Sequence, residues 1–457
     1  MLRIPPWFRL VLGATVLAVA LSTTGAPAFG QPANTLAPRA PALLDTSFPE
    51  FGLIVDAYLR SYPGLSREDA VRAAQLSPRR FGLVKQLATE HSTGFGGAWY
   101  DPSTNTLYMN IVDDPAEQAA EQVGGAWGLA VATTRVRYSL ETLQQISDDI
   151  KYGVTHVPGK RWAAVDVTAN AVQVGVEPAR LREAADTFGL AGPDRTLRAD
   201  GTAAPVRLTA ALPASDAHEE ACTDRFHCGR PARSGVSLWT GAEGNDICST
   251  GFTARTHASP VSYWIVTAGH CSAGINARYG HGEQFFGPLR SATNVAGLDV
   301  ARIRKDNTYW TTGGHMYSDT GTAHVVRVDN VAPARGWILQ GEGVCLTARG
   351  GAICGVIENV ADPVSEGLMR VRNADGCPGD SGGGWYWPGG ATFGRVAYGI
   401  HEGQPRNQAS SCHAAGAGSV FTAVPDIVTH WDRQDAVGAN LRFESRCPNL
   451  NSVCNYS

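Results

Sequence analysis

The stretch VSYWIVTAGHC, Val261 to Cys271, is a run of aromatic and β-branched residues that stops at Thr-Ala-Gly and delivers a histidine directly before a cysteine. Such a run reads as a strand. Similar short runs recur from Cys222 to about Asp432, separated by Gly, Asn and Asp: LDVARIR, AHVVRV, GWILQG, AICGVIENV, GLMRVRN, GGWYW, GRVAYGI and GSVFTAV. Many short strands with frequent turns predict an all-β barrel or sandwich. PDIVTHWD then predicts a helix, and a tail containing Cys447 and Cys454 follows it.

The chain before Cys222 has a different character. Its first residues carry Arg3 and Arg9, an apolar run from Leu10 to about Leu21, and small residues around Ala26-Pro27-Ala28. This predicts a secretory signal over 1–28, because the apolar run is too short for the roughly 20 residues a bilayer span needs. No later span is expected. DAYLRSYPGLSREDAVRAAQL and SLETLQQISDDI have helical spacing, with Ser66 and Ser139 as N-caps. TLYMNIV, AVDV and VQVGV alternate as strands, the last two joined by TANA. These elements predict an α+β domain over about 45–185. From Phe188 to about Glu220 the pattern dissolves into Gly, Ala, Pro and Asp, which predicts a linker and a cleavage zone.

All ten cysteines lie between Cys222 and Cys454, so an oxidised C-terminal unit follows a cysteine-free one. The formal net charge is −4, and from Cys222 onward acidic and basic side chains balance. That unit shows no basic stripe, which argues against nucleic acid or an anionic membrane surface as a partner.

The chemistry centres on DGCPGDSGGG, Asp375 to Gly384, where one serine sits among five glycines. A serine hydroxyl is a weak nucleophile until a base takes its proton, and the oxyanion formed on attack needs N–H donors aimed at it. Glycine permits the turn that aims them. Ser381 is therefore the candidate nucleophile, with the amides of Gly379 and Ser381 as oxyanion donors. WIVTAGHC offers His270 as base, and GLDVARIR offers Asp299 as the acid that orients it. Asp306 and Asp319 are nearby rivals. A competing arrangement, Ser381 with Asp426 and His430, would suit an α/β-hydrolase, but that fold needs crossover helices that Val261–Ser381 does not suggest.

TAGHC around the histidine, GDSGG around the serine and an Asp-Val-Ala-Arg-Ile strand between them resemble the chymotrypsin-fold serine endopeptidases. The compact spacing is similar to the secreted bacterial branch, the streptogrisin and α-lytic endopeptidase family. FGGAWYDPSTNTLYMNIVDD, RYSLETLQQI and WAAVDVTANAVQVGV resemble that family's propeptide. The resemblance covers roughly residues 51–432.

It implies an all-β catalytic domain of two six-stranded antiparallel β-barrels, chymotrypsin-like, preceded by an α+β propeptide domain. The corresponding division is signal peptide 1–28, propeptide 29–210 with its linker at 188–220, protease 211–432, and a C-terminal tail 433–457. It also implies the pairs Cys248–Cys271, Cys345–Cys354 and Cys377–Cys412; Cys222, Cys228, Cys447 and Cys454 depart from the family pattern. Asp375, six residues before Ser381, matches the position of a carboxylate that selects Arg or Lys. His401 matches a histidine of glutamate-specific members, and Glu402 and Gly403 follow it in the substrate-pairing strand. Asp375 and His401 could equally neutralise each other.

The expected product is a secreted, monomeric serine endopeptidase acting on protein or peptide substrates, with its own propeptide as folding assistant. No cofactor is expected, and no metal, since there is no C-x-x-C pair and no DxDxDG loop. The alternative on the same fold is a catalytically silent or only self-processing secreted binding protein.

Overall fold

Ser66 opens the longest helix, Arg67–Glu90, by accepting the Asp69 amide at 3.1 Å and donating its hydroxyl to the Asp69 carboxylate at 2.6 Å. Ser139 caps Leu140–Lys151 in the same way through the Thr142 amide at 3.2 Å. The computed structural model describes residues 38–191, 197–198, 204–210, 225, 231–241, 246–257, 260–319, 324–374, 376–405, 418–434 and 441–445. The expected signal segment, most of the expected linker, Asp375, Cys412, and Cys222, Cys228, Cys447 and Cys454 lie outside these residues.

The N-terminal part contains helices and three small sheets, one of them the two-stranded pair Leu190–Ala191 and Leu197–Arg198. Phe95–Asp101, Thr106–Ile111 and Ala130–Arg135 form one sheet. Lys160–Asp166 and Ala171–Val176 form a hairpin whose turn places Asn170 at φ +46°, a left-handed position that asparagine tolerates. Val206–Ala210, read from the sequence as linker, is a strand running parallel to Ala171–Val176. Its Val206 and Leu208 alternate with Arg207, a period-two signal too short to stand out among the surrounding Gly, Ala and Pro.

The C-terminal part is mostly β. Six strands close into a ring in the order Arg395–Gly403, Gly384–Pro388, Gly343–Ala348, Gly351–Asp362, Leu368–Arg372 and Gly418–Ala423, the last pairing back to the first. The other large sheet is a half-barrel of eight strands, from Asp246–Ser249 at one edge to Leu441–Phe443 at the other. It therefore differs from a second ring of six. One reason is that Leu441–Phe443, expected to be tail, pairs antiparallel with Thr253–Thr256 and buries Leu441 and Phe443. Between Val261 and Ser381 the described residues contain no α-helix, only two 3-10 turns, so the α/β-hydrolase arrangement has no crossover helices to use. The expected terminal helix is Val424–Gln434. Among the described residues no helix is long and apolar enough to cross a membrane.

One large hydrophobic core runs through both parts, and the described residues, all from 38 onward, form one compact unit. Phe81 stacks on Trp387 with ring centroids 4.5 Å apart. The seam between the parts also buries charge. Glu342 accepts Arg80 at 2.5 Å and Ser77 at 2.7 Å, with side-chain exposures of 1% for Arg80 and 3% for Glu342. Glu50, fully buried, accepts Arg395 at 2.7 Å. Asp426 is held by Lys151 at 2.9 Å and by Arg335. Two of these carboxylates belong to the C-terminal part and meet a cation from the N-terminal part, while Glu50 reverses the polarity.

Removing one partner of such a pair strands the other charge in an apolar seam, at a cost of about 3–5 kcal/mol. Arg80→Ala is expected to destabilise the full chain by that amount in urea unfolding. Arg80→Met combined with Glu342→Gln is expected to recover most of the loss, since it leaves no buried charge.

Candidate functional site

His270 rides on the 3-10 turn Gly269–Cys271, directly after the strand Tyr263–Thr267. Asp299 is the second residue of the neighbouring strand Leu298–Arg304, and Thr267 pairs with Ala301 in that ladder. This register sets the two residues side by side. The His270 amide donates to Asp299 Oδ1 at 2.8 Å, and Nδ1 lies 2.6 Å from Oδ2. The carboxylate is 1% exposed and the imidazole 22%. A buried carboxylate against Nδ1 fixes the tautomer with its proton there and makes Nε2 the basic nitrogen. The Asp299 amide donates to Thr422 Oγ1 at 2.9 Å, tying this strand to the closed ring. Of the rival acids, Asp306 is occupied by Arg304 at 2.6 Å, and Asp319 lies 3.9 Å from Arg225. Asp426 is held by Arg335 and Lys151, and His430 Nε2 lies 3.1 Å from Thr293 Oγ1.

The Cys248–Cys271 disulfide anchors the histidine turn, and Cys345–Cys354 joins the two strands of its hairpin. Ligand atoms of Cys248, Cys271 and His270 lie within 4.8 Å of one another. Both sulfurs are consumed in the disulfide, so the group offers no thiolate to a metal. Cys377 is buried, and its expected partner Cys412 lies outside the described residues.

Ser381 lies in the turn between Leu368–Arg372 and Gly384–Pro388 of the closed ring, half-buried. Its Oγ donates to the Glu402 carbonyl at 3.0 Å. Gly379 and Gly382 flank it with φ of +86° and +89°, and a Cβ on Gly379 would collide with the Arg349 guanidinium. The glycines are thus required by both backbone sign and space. Gly403, in the adjacent strand, has open space where a side chain would stand.

Sequence reasoning missed the residue that knits this loop together. Ser249, fully buried, donates its amide to the Ser381 carbonyl at 2.7 Å and its hydroxyl to the Gly379 carbonyl at 2.8 Å. The same hydroxyl accepts the Arg349 amide at 2.9 Å. Only its place beside Cys248 hinted at it. Asp380 finds its partners in the amides of Cys377 at 2.8 Å and Gly350 at 3.0 Å. Burial pushes its carboxyl up, opposed by these bonds and by the charges of Arg349 and Arg225.

His401 departs from the cationic role considered for it. It is 1% exposed, and the Trp385 indole N–H donates to its Nδ1 at 3.3 Å. Burial pushes its pKa down to about 3, with a further push from His270. A neutral imidazole supplies no charge to attract an acidic side chain. Its depressed pKa also has a consequence for stability. Between about pH 6.5 and 3 the unfolded chain binds a proton that the folded chain refuses, so stability falls as pH falls through that window and levels off below it. His401→Gln is expected to remove roughly a tenfold change in folding equilibrium per pH unit there, read as a flatter acid limb in urea melts from pH 7 to 4.

No family model matches the chain, and no curated protein matches it. Among solved structures, it is similar to the Rv3671c protease from M. tuberculosis in its active form, at 15% identity and a TM-score of 0.25, over 50% of this chain and 99% of that one. The inactive form of the Rv3671c protease gives 16% identity and a TM-score of 0.24, over 40% of this chain and 89% of that one.

Proposed function

We propose that this chain is a secreted serine endopeptidase made as a zymogen, with a chymotrypsin-like catalytic part after an α+β propeptide. The observation that carries the reading is the His270–Asp299 pair, a partly exposed imidazole on a buried carboxylate, with the neighbouring Cys271 Sγ 3.9 Å from the Ser381 carbonyl oxygen. The Gly-rich turn around Ser381 supports it, because its left-handed glycines shape a loop whose amides can receive negative charge.

In the proposed mechanism Ser381 Oγ turns from the Glu402 carbonyl toward His270 and attacks the peptide carbonyl carbon as Nε2 takes its proton. Asp299 holds the ring and stabilises the imidazolium. The amides of Gly379 and Ser381 receive the oxyanion. Its collapse breaks the C–N bond, the amine leaves with the proton from His270, and water then releases the acyl group by the reverse proton path. With His401 neutral, Asp375 is the remaining charged candidate for selecting the side chain before the scissile bond, and a preference for Arg or Lys is the matching expectation. Glu402 and Gly403 end the proposed substrate-pairing strand, Arg395–Gly403. Two disulfides fit an exported protein.

The test is a cleavage profile on a mixed peptide library for the intact protein and for Ser381→Ala. A loss of turnover near 10⁶ is expected on removing the nucleophile; a loss below tenfold removes Ser381 from the chemistry. Serine-dependent cutting confined to the 188–220 segment, with no peptide turnover, would instead favour the self-processing alternative. Cys222–Ser457 expressed without the N-terminal part is expected to yield little active enzyme, because Glu342 and Asp426 then lose buried cations and Trp387 loses Phe81. Full activity from that piece would refute a folding role for the N-terminal part.

A further inference from the structure

A cavity of about 670 Å³ has neither His270 nor Ser381 in its wall. It lies on the seam, between the segment 151–163 of the N-terminal part and, from the C-terminal part, the loop 295–298 and the helix Val424–Gln434. Its volume falls within the range of small-molecule sites. The wall carries Lys151, Lys160, Arg161 and Arg433 against one carboxylate, Asp426. That carboxylate is already shared by Lys151 and by Arg335 behind it. Arg161 is matched by Glu177 at 2.9 Å. Lys160 donates to the carbonyls of Ile150 and Lys151 at 3.0 and 2.7 Å, which are neutral acceptors. Arg433 lies over the Tyr152 ring with its guanidinium carbon 3.8 Å from the centroid. Among the described residues Lys160 thus has no carboxylate in ion-pair contact, and Arg433 shares only the more distant charge of Asp148 beside Tyr152, so cations outnumber carboxylates in this partly open wall. Partial burial pulls the Lys160 ammonium down, as expected for a cation short of counter-charge.

We propose that this cavity binds a small multivalent oxyanion, of the di- or triphosphate or polycarboxylate class, with Lys160 and Arg433 as its principal cations. One cation comes from each side of the seam. Occupancy therefore stabilises the assembled chain over any state in which the two parts separate, by mass action. The proposal does not depend on the endopeptidase reading.

Equilibrium dialysis of the full chain with radiolabelled inorganic pyrophosphate, at ionic strength held constant with sodium chloride, tests it. One saturable site is expected. Arg433→Gln, at an exposed position that leaves the core untouched, should weaken it roughly tenfold, the scale of one charge-assisted contact. Arg433→Gln with Lys160→Gln should abolish it. Binding that fails to saturate, or an affinity unchanged in Arg433→Gln, would overturn the proposal. Because the readout is binding, it stands or falls separately from any result on peptide cleavage.

Discussion

The hydrogen bond from the Ser249 amide to the Ser381 carbonyl is the constraint on which the site depends. Histidine and aspartate come from a half-barrel sheet and the serine from a separate closed ring, so nothing within either sheet fixes their relation. Ser249 bridges them with backbone and hydroxyl together, holding the carbonyls of Ser381 and Gly379 from a fully buried position. The bond from Asp299 N to Thr422 Oγ1 is a second tie between the same sheets. Backbone anchors of this kind fix the loop without placing a side chain in the space beside the hydroxyl.

Much of this was legible in the sequence, for identifiable reasons. Period-two runs bounded by Gly and Asn gave strands, and Ser66 and Ser139 marked helix starts because a cap is a local, side-chain-to-backbone event. The proximity of His270 and Asp299 was legible because each sits in a recognisable strand context. What stayed hidden was non-local. Ser249 is an unremarkable serine until the fold brings residue 381 beside it. The charge state of His401 depends on complete burial and on the nearby His270, neither of which a string of letters displays. Val206–Ala210 and Leu441–Phe443 are short strands whose identity is conferred by the partner they pair with.

The seam between the N-terminal part and the β-rich part is built like an interior, with stacked aromatics and solvent-excluded ion pairs. Such pairs contribute little net stability over apolar residues of the same shape, yet they penalise misalignment strongly, because a displaced charge has no water to turn to. Glu50, Glu342 and Asp426 are placed so that each requires a specific cation from the other part or from the same seam. The arrangement specifies one docking geometry more than it adds affinity.

The strand Leu441–Phe443 lies against Thr253–Thr256 across nearly two hundred residues of chain. A strand left at a sheet edge with unpaired backbone groups is a template for pairing with other chains. During synthesis the edge at Thr253–Thr256 emerges long before the segment that covers it, so the protein passes through an interval in which this border is bare. Contacts of such sequence separation also form slowly. Among the described residues the last strand to appear thus covers that border and becomes a shorter, three-residue edge in its place, and loss of a few residues near 441 would leave Thr253–Thr256 bare although they lie outside the closed ring that carries Ser381.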